Sequence, residues 1–358
     1  MFKSLGLKFC LFLSILTSLS ALSSEFIRSY QVIASPMIMN QIADHFEIVK
    51  KLNRGYEVYV QENEVDSFLK LAPHSKLLIK NIQDVFKPSD KSLQFDLLKY
   101  RKFSDVERDL ISIANNYKEI ASLETYGVTK EGRKLYALKI STSHKTNQTN
   151  KPEVMITAAT HGDELVTVEV LFSLINELIS GYGKDSRLTK LIDGRDIFFI
   201  PVVSPDSFES RERYVQGLDP NRSFPWPEKI NNQTVDCIQG IIDFTNSHHF
   251  AGSLDLHAYG KLVMFPWGYT KTPPEGRDEV VFNDLVQAMA KKNQYTAGQI
   301  STTIYIAKGS SADYFYWKKG TQAIAAELAN EKVPPYSSIP RVTDEAREMT
   351  WTFLEHFN

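Results

Sequence analysis

Over the last 260 or so residues of this 358-residue chain, short apolar runs alternate with longer stretches of helical period. No other feature constrains the fold as much. Runs at 135–140, 154–159, 196–202, 252–256 and 322–327 read as strands. Helical patterns fall at 164–179, 279–291 and 343–357, and Ser104-Asp105-Val106-Glu107 is a capping-box pattern that opens a further helix running to Ile120. Residues 143–151 are polar and lack apolar anchors, so they read as a surface loop. Strands alternating with helices in this way imply one α/β domain whose sheet is mostly buried and flanked by helices. No internal repeat of solenoid or propeller period interrupts the pattern.

The preceding residues form a separate, smaller unit. Strand patterns at 27–34, 56–60 and 76–82 alternate with helical patterns at 39–52 and 62–71. The expectation is a small α+β domain of β-α-β-α-β order over residues 24–86. A unit of this size folds alone only marginally. Residues 87–98 read as a linker that begins with Lys87-Pro88-Ser89-Asp90-Lys91-Ser92, and the large domain then spans 99–358. At the start, Lys3 and Lys8 precede an apolar run that ends among small residues at Ala21 and Ser23. Residues 1–23 thus read as a secretory signal peptide, which implies export to a periplasm or the medium. The competing reading is a membrane anchor, but the run is shorter and richer in serine than the roughly 20 apolar residues a span needs.

Charge and cysteine content exclude several functions. Lys plus Arg number 41 and Asp plus Glu 43, for a net charge of -2. Without a basic field, neither nucleic acid nor an acidic membrane surface is an expected partner. The two cysteines are Cys10, which leaves with the signal peptide, and Cys237. That excludes a thiolate zinc site and a disulfide scaffold, and leaves histidine and carboxylate as the metal-binding chemistry available.

Those residue types gather at strand ends. Ala158-Ala159-Thr160-His161-Gly162-Asp163-Glu164 follows a strand and opens a helix, so His161 and Glu164 converge on one point. His257 ends another strand and offers a third ligand. His248 and His249 are adjacent and point apart, which makes them structural or solvent-facing. In the loop between, Asn221-Arg222 places a neutral and a charged donor side by side, suited to a carboxylate. Arg213 or Arg211 could face a developing oxyanion. Residues 302–314 form a Gly/Ser loop carrying Tyr305, and Glu327 is a lone acid closing an apolar strand.

In this order, His161/Glu164, Gly217-Leu218-Asp219-Pro220-Asn221-Arg222, His257, Tyr305 and Glu327 resemble the zinc metallocarboxypeptidases of the carboxypeptidase A and T kind, the funnelins. The resemblance runs from about Leu97 to the C-terminus and includes Glu131-Gly132-Arg133. It implies a mixed sheet and one zinc ion held by His161, Glu164 and His257. It also implies Glu327 as general base, Arg213 (with Arg211 as the alternative) at the oxyanion, and Asp219 accepting from His161. Asn221, Arg222 and Tyr305 would bind the terminal carboxylate of a peptide. The side-chain pocket would be lined by Ile300, Ala307, Ser310, Ala312 and Ala325, which implies apolar or aromatic C-terminal residues. Two departures stand out. Asp163 occupies a position where many relatives carry asparagine or a substrate-touching arginine, and Ser204-Pro205-Asp206-Ser207 replaces the usual N-P-D-G turn. The implied function is an exported zinc carboxypeptidase. Its alternatives are a carboxypeptidase of peptidoglycan stem peptides and a non-catalytic peptide-binding module. The small N-terminal unit has the size and pattern of the prodomain that the family often carries.

Overall fold

A computed structural model of the chain describes residues 26–86, 94, 96–143 and 151–357. Residues 1–23, read as a signal peptide, lie outside the described residues, as do Lys87 to Ser92 of the expected linker and most of the 143–151 loop.

The N-terminal unit is an antiparallel sheet of β1 (Ile27–Val32), β2 (Glu47–Lys51), β3 (Tyr56–Gln61) and β4 (Lys76–Ile79), in the order β2-β3-β1-β4. The helices Pro36–His45 and Val65–Leu71 contribute Ile42 and Phe68 to a core with Tyr30, Val32, Ile48, Val58 and Val60. The expected helix at 39–52 is corrected here. It ends at His45, Phe46 is extended with φ -129° and ψ 155°, and residues 47–51 form β2. Ile48 and Val49 are β-branched, and Ile48 lies opposite Val58 of β3, so cross-strand packing overrides the helical period. The unit therefore runs β-α-β-β-α-β.

The large domain is built on eight strands in the order β11-β10-β12-β9-β7-β8-β6-β5. These are β5 (Ala121–Val128), β6 (Lys134–Ile140), β7 (Glu153–Ala158), β8 (Asp196–Ile200), β9 (Phe250–Ala258), β10 (Leu262–Phe265), β11 (Thr296–Gln299) and β12 (Gln322–Leu328). The four central strands β12, β9, β7 and β8 are mutually parallel, while β5, β6 and β10 run antiparallel to their inner neighbours. Alternate residues of these strands enter two cores. Ile156, Phe199 and Ala326 face the helices Leu165–Gly181 and Ile339–His356, while Met155, Phe198 and Ala325 face the helices Asp236–Asn246 and Ser311–Lys319. The second core includes Cys237, a buried free thiol that burial pushes up to about 12. Three strands of the large domain escaped the sequence reading: β5, β10 and β11. β10 and β11 have four residues each, and β5 is an edge strand with only partial burial.

Near the β5 edge, the Asp196 carboxylate joins β8 to β6. It takes Lys139 at 2.6 Å and the Ser141 hydroxyl at 2.5 Å. Among the described residues no single helix is long and apolar enough to cross a membrane.

Candidate active site

Parallel strands end on one edge of their sheet, where a crevice forms. β7 ends there at Ala158, three residues before His161, while β9 carries His257 and β12 carries Glu327. Glu327 stands opposite His257 in the β12–β9 register. The turn from β7 into the helix Leu165–Gly181 requires Gly162. A Cβ there would lie 2.1 Å from the carbonyl carbon of Ser207, so only glycine lets the two segments press together. This turn brings His161 and Glu164 to the same side.

His161 Nδ1 lies 2.8 Å from Glu164 Oε1, and His257 Nδ1 lies 3.1 Å from Glu164 Oε2. The ligand atoms of the three residues all lie within 4.8 Å of one another, and all three residues are buried. The far ring nitrogens are held by acids: His161 Nε2 is 3.0 Å from Asp219, and His257 Nε2 is 3.0 Å from Asp255. An ionised carboxylate only accepts, so each Nε2 donates to its acid, and each Nδ1 is the ring nitrogen turned toward Glu164. Two imidazole nitrogens and a carboxylate gathered on one point are the donor types that zinc takes. The donor set therefore fits one zinc ion, with three protein ligands and one position left for water. Asp255 is itself fixed by hydroxyl donors from Thr157 and Ser311, each at 2.8 Å, and from Thr160 at 3.0 Å.

Arg213 reaches the trio from the loop after the helix Pro205–Ser210. Its Nη2 donates to Asp219 at 3.0 Å and its Nη1 to Glu164 at 3.4 Å. Arg211 points elsewhere, toward the Leu97 carbonyl at 3.4 Å. Arg222 donates to the Tyr305 hydroxyl at 3.0 Å, and the Asn221 side chain accepts from the Ser311 amide at 2.9 Å. Arg213, Asn221, Arg222, Tyr305, the trio and Glu327 line one cavity.

Residues 106–349 match the model of the zinc carboxypeptidase family. The chain belongs to the zinc carboxypeptidase family. Its members are peptide hydrolases, and the His-Glu-His trio is compatible with the single zinc ion of the family. Carboxypeptidase A4 of Mus musculus is 28% identical over 311 residues, covering 75% of this chain and 72% of that protein. Carboxypeptidase A1 of Sus scrofa is 27% identical over 304 residues, covering 73% of this chain and 71% of that protein. In fold, the chain resembles the carboxypeptidase A structure from Helicoverpa armigera with a TM-score of 0.72 at 20% identity, over 93% of this chain and 97% of that one. The structure of thrombin activatable fibrinolysis inhibitor gives 0.68 at 19% identity, over 93% and 98%.

In this carboxypeptidase the expected pocket residues Ile300, Ala307, Ser310, Ala312 and Ala325 all line the cavity. Met264 lines it too, from β10, and Val49 does so from β2 of the N-terminal unit. Neither was foreseen, because one lies on an unexpected strand and the other on a stretch read as helix. Asp255 was also missed, although it was legible: residues two apart on a strand share a face, so Asp255 belongs beside His257. His248 lies outside the site, 3.0 Å from Glu153.

Desolvation pushes the Glu327 carboxyl up to about 7; His257 opposes the shift and Glu164 adds to it. Burial works against ionisation of Asp219 as well, but Arg213 and His161 hold its carboxyl well below the usual range. The N-terminal unit lies against the same groups. Glu47 of β2 makes a buried ion pair with Arg213 and accepts from the Tyr214 hydroxyl, and Glu57 of β3 accepts from the Tyr259 hydroxyl at 3.1 Å. Tyr305 packs against both the large domain and the small unit's core. The free space left in the cavity is about 40 Å³.

Proposed function

We propose that this chain is an exopeptidase that removes the C-terminal residue of peptides. The observation that carries the reading is the meeting, in one cavity, of a metal trio, a carboxylate on the neighbouring strand and a cationic clamp. Arg222, Asn221 and Tyr305 hold the terminal carboxylate of the substrate, and the guanidinium supplies its planar pair of donors. With the terminus fixed there, the last peptide bond lies at the trio. Zinc bound to His161, Glu164 and His257 supplies Lewis acidity and an acidified water. Glu327 takes the proton of the attacking water and delivers it to the leaving amine. Arg213 donates to the oxygen on which negative charge develops. Asp219 and Asp255 keep the two imidazoles in the tautomer that leaves each Nδ1 free to bind.

Apolar side chains from Met264, Ile300, Ala307, Ala312 and Ala325 support a preference for apolar or aromatic C-terminal residues over Lys and Arg. The test is residue release by the zinc-loaded chain from peptides ending in Phe, Leu or Lys, each as free acid and as amide. Release of Phe and Leu from the free acids alone is expected. Equal cleavage of the amides would remove the clamp from the mechanism, and release of Lys in preference to Phe would reverse the specificity. A peptidoglycan stem tetrapeptide in the same series shows whether cell-wall peptides are substrates.

Residues 1–23 support export, and sequencing the N-terminus of the protein recovered outside the producing cells tests it. The N-terminal unit acts as a prodomain: Glu47 occupies Arg213 and Val49 lines the cavity, and peptide gains fuller access when the unit withdraws.

A further inference from the structure

One charge pair beside the metal trio takes no part in the reaction above. Asp163 and Lys332 lie 2.5 Å apart, with side chains only 4% and 10% exposed. Asp163 immediately precedes Glu164, and Lys332 follows β12, five residues beyond Glu327. The Lys332 carbonyl accepts from the Val166 amide at 3.1 Å, which ties this loop to the first turn of the helix Leu165–Gly181. Burying both charges is costly, and packed apolar residues would brace the loop equally well. An ammonium has three N–H donors, of which Asp163 Oδ2 takes one. Asp163 Oδ1 has no hydrogen-bond partner among the described residues.

The N-terminal unit rests on Lys332 and on groups of the cavity. The Tyr59 ring of β3 lies 5.4 Å from Lys332 Nζ. Two residues away on the same strand, Glu57 engages the Tyr259 hydroxyl, while Glu47 of β2 engages Arg213. Two carboxylates and one electron-rich ring face therefore rest on an arginine, a hydroxyl and a lysine. A substrate whose terminal carboxylate sits at Arg222 and whose last peptide bond lies at the trio continues away from the clamp, toward ground that β2 and β3 now cover.

We propose that Lys332, positioned by Asp163, is a specificity-determining residue that binds a carboxylate-bearing side chain on the acyl side of the scissile bond. The preferred substrates are peptides with Asp or Glu just upstream of the C-terminal residue. The proposal rests on the carboxypeptidase reading and extends it to the other half of the cleft. It gives the unusual acid at position 163 a purpose, which is to hold a cation supplied from another loop.

The test uses the zinc-loaded full chain, intact and after limited tryptic cleavage between the two units with the trypsin then inhibited. Peptides share one apolar C-terminal residue and carry Glu, Gln or Lys at the second or third position from the end. Glu is expected to exceed Gln by about tenfold in kcat/KM at one of these positions, mostly through KM, with Lys poorest. Lys332→Arg keeps the preference. The neutral pair Asp163→Asn with Lys332→Gln brings the Glu/Gln ratio to within about twofold of one. If that variant does not fold, the wild-type ratio decides, because an electrostatic preference shrinks as salt is raised and a steric one does not. Equal rates for Glu and Gln in the wild type overturn the proposal, as does a ratio unchanged in the neutral pair. A uniform loss across the series assigns the pair to structure alone. Absence of release from every peptide overturns the carboxypeptidase reading itself, and this proposal with it.

Discussion

At the scale of single residues, the proposed mechanism separates holding a metal from moving a proton. His161, Glu164 and His257 face one another, whereas Glu327 approaches from the adjacent strand. Glu327→Gln is therefore expected to keep one zinc per chain while residue release falls by about 10² to 10⁴-fold. Metal analysis alongside the peptide assay checks this, and full activity in the variant would remove Glu327 from the mechanism. Much of this layer was legible in the sequence, because an imidazole or carboxylate at the end of an apolar strand needs a partner. The choice between Arg211 and Arg213 was not legible. Both belong to one arginine-rich loop, and only the left-handed turn at Arg211, with φ 58°, sends one away from the trio and the other toward it.

At the scale of elements, the parallel centre of the sheet was read correctly and its margins were not. β7, β8, β9 and β12 are buried on both faces, so their apolar runs stand out. β2 was hidden inside an apparent helix because Ile48 and Val49 also satisfy a helical spacing. Its partner β3, which decides the matter, lies beyond the reach of local pattern. The margin of the large sheet carries a testable electrostatic joint. Burial alone would raise the Asp196 carboxyl, but Lys139, Ser141 and Ser143 hold it below the usual range. With the native value depressed, the unfolded chain binds the proton first as pH falls. The stabilisation is then present above about pH 4, the ordinary aspartate value, and is lost as pH drops through the lower native one. Asp196→Asn is expected to cost about 1–2 kcal/mol at pH 7. That difference should shrink toward zero in acid, as read by denaturant unfolding at a series of pH values. A constant difference across the series would show that the carboxylate charge is not what matters.

At the scale of the whole molecule, the two units share one buried boundary, and that boundary lies at the active site. The ion pair of Glu47 with Arg213 crosses it with both side chains under 10% exposed. Glu47→Ala in the full chain should weaken docking by about 2 kcal/mol, or roughly thirtyfold in the open fraction, and raise the rate of residue release. A rate that does not change would mean that the small unit leaves the cleft by another route or does not limit access. Most strands of the small four-stranded sheet were legible from their pattern, but its place over the cleft was not. That place depends on pairings between residues more than 150 positions apart, such as Glu57 with Tyr259.

The single thiol of the second core has a consequence of its own. Cys237 lies on the helix Asp236–Asn246, 1% exposed and 3.4 Å from the Ser204 hydroxyl, with its ionisation suppressed by burial. A thiol so placed meets an alkylating reagent only when the sheet's outer layer lifts away. The rate at which Cys237 takes up label, followed by mass spectrometry, therefore reports how often the large domain opens. This native side chain is a clock for that event, and it can be read with zinc bound or removed.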